Sequence, residues 1–178
     1  MLKNVRISYP KLFVAEQFQG TGTFSYSAAF HIVPGSDNDK KIRAAIAIAA
    51  KRFEKKEAEI IASITGNPNK YCYMNGAIKG LENLWILSAK RKQTDGKPDV
   101  MDKNPTVKLT ANDARIYGGC YVNAKVEPWA QVKGTGSPGI RCTLIAVQFA
   151  NDGESFGGAP PVNDDGFESV EEDDDPTA

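Results

Sequence analysis

Gly119-Cys120-Tyr121-Val122-Asn123-Ala124-Lys125-Val126-Glu127-Pro128-Trp129-Ala130 is followed by the turn Lys133-Gly134-Thr135-Gly136-Ser137-Pro138-Gly139. Then comes Ile140-Arg141-Cys142-Thr143-Leu144-Ile145-Ala146-Val147-Gln148-Phe149. This is the stretch on which the fold turns. Side chains along a strand point alternately to its two faces. In the first run Cys120, Val122, Ala124 and Val126 make a purely apolar face. Tyr121, Asn123, Lys125, Glu127 and Trp129 make the other. Two such runs around a Gly/Pro link read as a β-hairpin. Pro128 suggests an edge or a bulge near the end of the first strand.

Upstream of the hairpin the same period recurs. Residues 2–9 alternate, with Val5, Ile7 and Tyr9 on one face and Asn4, Arg6 and Ser8 on the other. Pro10 is expected to end that strand, and residues 11–22 to form a loop with an apolar anchor. A second strand spans 24–33, with Phe24, Tyr26, Ala28, Phe30 and Ile32 on a core face. His31 lies on its opposite face and reads as a plain surface or edge residue. After the turn Pro34-Gly35-Ser36-Asp37, an amphipathic helix is capped by Asp37 or Asn38. Its stripe is Ile42, Ile46, Ala49, Phe53, Ile60 and Ile64, backed by a lysine-rich solvated face, and Gly66-Asn67-Pro68 ends it. Residues 70–79 read as a short strand or an ordered loop. Residues 84–92 form a firmer strand with Trp85, Leu87 and Ala89 on one face. Residues 93–105 read as a loop, and 110–114 as a single helical turn.

Five strand runs (2–9, 24–33, 84–92, 119–132 and 139–149) and one main helix suit a small closed barrel such as the OB-fold. They suit an open α+β sheet equally well. The long helix stands between the second and third strands, which is not the usual place for the OB-fold helix.

The chain has 178 residues and a formal net charge of zero, which conceals a division. Residues 151–178 hold ten acidic residues and no Lys or Arg, so residues 1–150 hold all 22 basic residues against twelve acidic ones. The expected organisation is a basic domain over 1–150 and a flexible acidic tail over 151–178, since a run such as Glu171-Glu172-Asp173-Asp174-Asp175 resists folding. A basic body points to nucleic acid or a membrane surface, and the plainer alternative is a soluble domain with a solubilising acidic tail. No apolar run approaches the ~20 residues that span a bilayer, and the N-terminus has no signal-peptide pattern. Three cysteines without a CxxC pair fit a reducing compartment. The expected location is therefore the cytoplasm, with no membrane partner.

Enzyme signatures are missing from the sequence. There is no P-loop, no GxSxG and no HExxH, and one histidine cannot build a zinc triad. Asp95, Asp99 and Asp102 are the best carboxylate group for a magnesium-dependent nuclease, but they sit in a lysine-containing loop. No catalytic residue, metal or cofactor is expected.

Binding is better supported. A single strand of nucleic acid needs cations for its phosphates and flat side chains for its bases. Tyr121, Lys125 and Trp129 alternate on the polar face of one strand and supply both. Arg141 opens the partner strand, Lys90, Arg91 and Lys92 form a basic cluster, and Arg6 lies on the polar side of the first strand. Tyr71, Tyr73 and Tyr117 are further stacking candidates. The tail can compete with an anionic strand for the same groove or recruit partners. The rival reading is a structural or protein-interaction module whose basic face meets an acidic partner.

The chain resembles the phage single-stranded-DNA-binding proteins of the Enc34 type. The resemblance rests on Lys3-Asn4-Val5-Arg6-Ile7-Ser8-Tyr9-Pro10 with Leu12-Phe13, and on Ile116-Tyr117-Gly118-Gly119-Cys120-Tyr121-Val122-Asn123-Ala124. It rests also on residues 139–149 through Asp152-Gly153-Glu154 and on the acidic tail after Gly157-Gly158. It implies an OB-fold that binds single-stranded DNA without marked sequence preference, in phage replication and recombination. Replication or recombination proteins would then be met through the tail, and an oligomer is compatible. Such proteins often end in an aromatic residue, whereas this chain ends in Pro176-Thr177-Ala178.

Overall fold

A computed structural model describes residues 1–17, 20, 22–132 and 138–157. The expected Gly/Pro turn at 133–137 and the expected acidic tail beyond 157 lie outside the described residues. The strands are β1 (Leu2–Gln17), β2 (Phe24–Ile32), β3 (Tyr73–Asn75), β4 (Trp85–Lys92), β5 (Asp99–Met101), β6 (Tyr121–Gln131) and β7 (Gly139–Asn151). Two α-helical segments, α1 (Asp37–Ala50) and α2 (Glu57–Ile64), connect β2 to β3.

The sheet order is β3-β4-β2-β1-β6-β7-β5, with β4 also paired to β7. That extra pairing closes β1, β2, β4, β7 and β6 into a five-stranded barrel, leaving β3 and β5 as short additions outside it. The closure is parallel, through Lys90 against Thr143. Beside it, residues 70–72 form a wedge between the first halves of β4 and β7. Ile140 N–H donates to the Lys70 carbonyl (2.8 Å), Cys72 N–H to the Ile140 carbonyl (3.0 Å), and Ser88 N–H to the Cys72 carbonyl (2.9 Å).

The apolar faces meet inside. Ile7, Phe30, Ile32, Leu87, Ala89, Cys120, Val122, Ala124, Ile140, Leu144 and Val147 are all fully enclosed. All three cysteines are buried free thiols. Pro128 falls in the half of β6 that pairs with β7 but not with β1. One edge is open there, as a proline requires.

Three expectations need correction, and the helix gains a detail. Pro10 does not end β1. The register slips by one residue between the pairs Ser8–Ala29 and Lys11–Ser27, and Tyr9 sits at φ 49°. This β-bulge takes Pro10 out of the regular ladder, and the strand bends and continues to Gln17. The long helix over residues 37–64 stands as expected but is kinked. A 3-10 segment at Lys51–Lys56, with Glu54 at φ 54°, divides it. An unbroken helix over 37–64 would be ~42 Å long, against ~38 Å for the width of a body this size. The stripe nevertheless holds, with Ile42, Ile46, Ala49, Phe53 and Ile64 buried and Ile60 packed at its margin. The cap is Ser36, whose Oγ accepts from Asp39 N–H at 3.2 Å. Finally, the 93–105 loop contains β5, which runs parallel to β7 and buries Val100. Three residues are too few for their alternation to register in the sequence.

Candidate nucleic-acid interface

Residues directly opposite one another on paired strands project to the same face. The register therefore defines the outer surface of the barrel. One row runs Ser27, Lys90, Thr143 and Glu127 across β2, β4, β7 and β6. In the neighbouring row Trp129 stands opposite Arg141. Lys92 stands opposite Ser25, and Lys125 shares the face of Glu127 and Trp129, as the alternation of β6 predicts.

These side chains reach the surface. Trp129 is 42% exposed and Lys125, Lys90 and Lys92 lie at the surface. Arg141 is oriented rather than loose: its Nε donates to Gln131 Oε1 at 3.1 Å and its Nη1 to the Asn69 carbonyl. Partial burial, and then the positive charge of Arg141, hold the Lys90 amine below the usual lysine range. Two like charges set this close to each other suit a shared anion. The indole gives a flat apolar face and the cations give points for phosphate. The patch can grip a single strand without reading its sequence.

The other predicted residues stand elsewhere. Arg91 caps the turn after β4, with Nε to the Gly96 carbonyl (2.9 Å) and Nη2 to the Asp95 carbonyl (2.7 Å). Tyr71 belongs to the wedge and pairs with Ile140. Tyr73 is in the core, 2% exposed. Its hydroxyl donates to Asp39 Oδ1 at 2.7 Å, and its ring lies 5.2 Å from that of Trp85. Burial and the Asp39 carboxylate push its hydroxyl pKa far up. Burial alone would raise Asp39, but donors from Tyr73, Gly35 and Arg43 hold it below its ordinary value.

Arg6, Tyr117 and Tyr121 gather at the far end of the barrel around residues 152–156. Arg6 Nε donates to the Gly119 carbonyl (3.0 Å) and Nη2 to the Glu154 carbonyl. Tyr117 Oη donates to the Gly153 carbonyl (3.0 Å) and accepts from Gly153 N–H (3.1 Å). The Arg6 guanidinium lies 4.2 Å from the Phe156 ring centre and 5.7 Å from that of Tyr121. The first residues expected to belong to the tail thus lie against the barrel.

His31 is not a plain surface residue. It is buried, 3.1 Å from Ser8 Oγ, and its ring stacks on Phe156 at 4.9 Å. Burial, then Arg6 and Lys79, lower its pKa. Sequence reasoning also passed over Phe156 and Tyr9. A lone aromatic just after the Asp152-Gly153 turn was the available signal for the first. Tyr9 gave none, because its bulge reverses the expected inward face. Among the described residues no group of three potential metal ligands comes together. Asp99 pairs with Lys108 (2.7 Å) and Asp102 with Arg115 (3.6 Å).

A closed five-stranded barrel of this connectivity, with cations and an exposed indole on adjoining outer faces, defines an OB-fold of the oligonucleotide-binding class. The family model described as the ssDNA-binding protein of Enterobacter phage Enc34 matches residues 1–177, and the chain belongs to that family, a non-enzymatic kind of protein. A curated relative, putative protein p50 of Acyrthosiphon pisum secondary endosymbiont phage 1, is 40% identical over 181 residues, covering 98% of this chain and 91% of the relative. Among solved structures, the single-stranded DNA-binding protein of bacteriophage Enc34 in complex with ssDNA superposes with a TM-score of 0.70 at 26% identity, covering 87% of each chain. The gp2.5 single-stranded DNA-binding protein of bacteriophage T7 shares the fold, with a TM-score of 0.57 at 14% identity over 94% of this chain and 97% of the other. No helix among the described residues is long and apolar enough to cross a membrane.

Proposed function

We propose that this protein binds single-stranded DNA with little sequence preference during phage DNA replication and recombination, in the cytoplasm of the host. The strand lies across the outer faces of β4, β7 and β6. The observation that carries this reading is the juxtaposition of Trp129 with Arg141, beside Lys90, on the closing strands of the barrel. The complex of the Enc34 relative with ssDNA supports it. Lys90, Lys92, Lys125 and Arg141 neutralise phosphates, and Trp129 stacks on a base. Arg6, Tyr117 and Tyr121 act at one remove, by fixing the surface on which residues 152–156 rest.

The test is a titration of oligo-dT and of duplex DNA over a range of salt. Preference for oligo-dT, with affinity falling as salt rises, is expected. Equal affinity for the duplex, or no binding, would overturn the reading and favour a module for an acidic protein partner.

The acidic residues beyond 157 compete with DNA for the basic face and, once displaced, meet replication or recombination proteins. Deletion of residues 159–178 should tighten oligo-dT binding, most at low salt. Unchanged affinity would remove the competitive role and leave recruitment.

A further inference from the structure

The outer face of β2 and β4 continues beyond Lys90. Along β4 the outward positions after Lys90 are Ser88 and Ile86, and opposite them on β2 are Ala29 and His31. The small side chains of Ser27, Ala29 and Ser88 leave this track low. It leads ~13 Å, four residues of strand, into a cavity of ≈ 530 Å³. Ser8, His31 and Ile86 form its floor, Lys79 stands at its edge, and Tyr9 and Phe156 also line it.

Three features of this cavity are unlike the rest of the surface. Tyr9 is 73% exposed, the most exposed of the large apolar and aromatic side chains described. Its backbone is held at φ 49°, a region costly for a residue with a side chain. The ring is thus projected outward by a bulge that a glycine would occupy with less strain. Across the cavity Phe156 is 44% exposed, although it is stacked between His31 and Arg6. The polar side chains in the lining are the His31–Ser8 pair, Ser155, the Tyr9 and Tyr117 hydroxyls and the Lys79 ammonium, which is its one cation. Flat apolar walls, a small polar floor and one cation at the edge match a planar heterocycle carrying a phosphate.

We propose that this cavity receives an unstacked nucleobase of the bound single strand, with Tyr9 packing on the base and Lys79 taking an adjacent phosphate. The proposal rests on the single-strand reading and extends the contact surface from the basic patch to the opposite end of the same barrel face. Stacking against Tyr9 tolerates any base, because every base offers a π-face. A base held here also fixes the register of the strand relative to Lys90 and Arg141.

The test compares Tyr9→Ala and Tyr9→Phe with the unaltered chain, on oligo-dT and on an abasic oligomer of equal length. Tyr9 is so exposed that neither substitution should disturb folding, which thermal melts would verify. Tyr9→Ala should weaken oligo-dT binding about tenfold and leave abasic binding unchanged, while Tyr9→Phe keeps the oligo-dT affinity. Unchanged oligo-dT affinity in Tyr9→Ala would overturn the pocket while leaving the basic patch standing. Equal losses on both oligomers would also overturn it, since they would assign Tyr9 to the backbone. Absence of oligo-dT binding by the unaltered chain would overturn the single-strand reading, and this inference with it.

Discussion

The two ends of the barrel's outer face use the same kinds of residue for opposite purposes. At the closing strands, Lys92, Lys125 and Trp129 are presented to solvent. At the other end, Arg6, Tyr117, Tyr121 and Phe156 are spent on one another and on the backbone of residues 118–119 and 152–156. An arginine whose donors already hold two carbonyls contributes mainly to shape. A lysine at the surface, or an indole with 42% of its area exposed, contributes to contact. Residue type selects what a side chain can do, and neighbours decide what it does.

The comparison can be broken at its tightest point. Gly119 has φ 112°, and a Cβ there would sit 2.1 Å from the Glu154 carbonyl oxygen. Gly119→Ala should therefore dislodge residues 152–156 and cost about 3 kcal/mol of stability, measured by urea denaturation. A cost below about 1 kcal/mol would mean that residues 152–156 adjust freely and are held only loosely against the far end of the barrel.

Two substitutions then sharpen the contrast. Arg6→Ala removes charged donors from two carbonyls and should cost about 2 kcal/mol of folding stability. Trp129→Ala should leave the melting temperature nearly unchanged and weaken oligo-dT binding by about 1–3 kcal/mol. If Trp129→Ala unfolds the barrel instead, the indole is structural and the division between the two ends fails.

The smallest effect is one of pH. His31 has its pKa lowered by burial and by the charges of Arg6 and Lys79. The unfolded chain therefore takes up a proton on this side chain first as pH falls. Stability is complete above the ordinary histidine value near 6.5 and declines as pH falls through it towards the lower native value. The lowered carboxylates, Asp39 among them, act at more acid pH. Thermal melts between pH 7.5 and 5.5 should show the decline, and His31→Gln should flatten it. A melting temperature equally flat in both proteins would remove His31 from the packing around residues 152–156.

Much of the barrel was legible because alternation is a local signal. The core faces of β4 and β6 are those the period of two predicts, whereas Phe24 at the start of β2 is 46% exposed and a bulge in β7 moves its inward set from Ile140, Cys142 and Leu144 to Val147 and Phe149. The same signal placed Trp129 and Lys125 on one surface, and the register of the two strands added Arg141. What escaped depends on distant partners. Tyr73 looks like any exposed stacking residue until Asp39, 34 positions away, takes its hydroxyl. Arg6 looks like a free cation until Glu154, 148 positions away, receives it. The continuation of β1 past Pro10 depends on a bulge, which alternation cannot express. The kink in the helix at Glu54 has no counterpart in the apolar stripe, which runs through it unbroken. The connectivity of the barrel came from resemblance, because period alone fits an open sheet as well.

The seam between β4 and β7 has a mechanical meaning. A barrel is a hoop, and this one is fastened by the Lys90–Thr143 pair and by the wedge of residues 70–72. The fastening lies beneath the patch that holds Lys90 on one side and Arg141 on the other. A polyanion resting on both cations bridges the joint from outside, like a clasp laid over a buckle. Binding to the closed hoop alone adds its own free energy to the cost of opening, so occupancy and the integrity of the barrel rise together. Amides along this seam are where a bound strand should slow hydrogen exchange most.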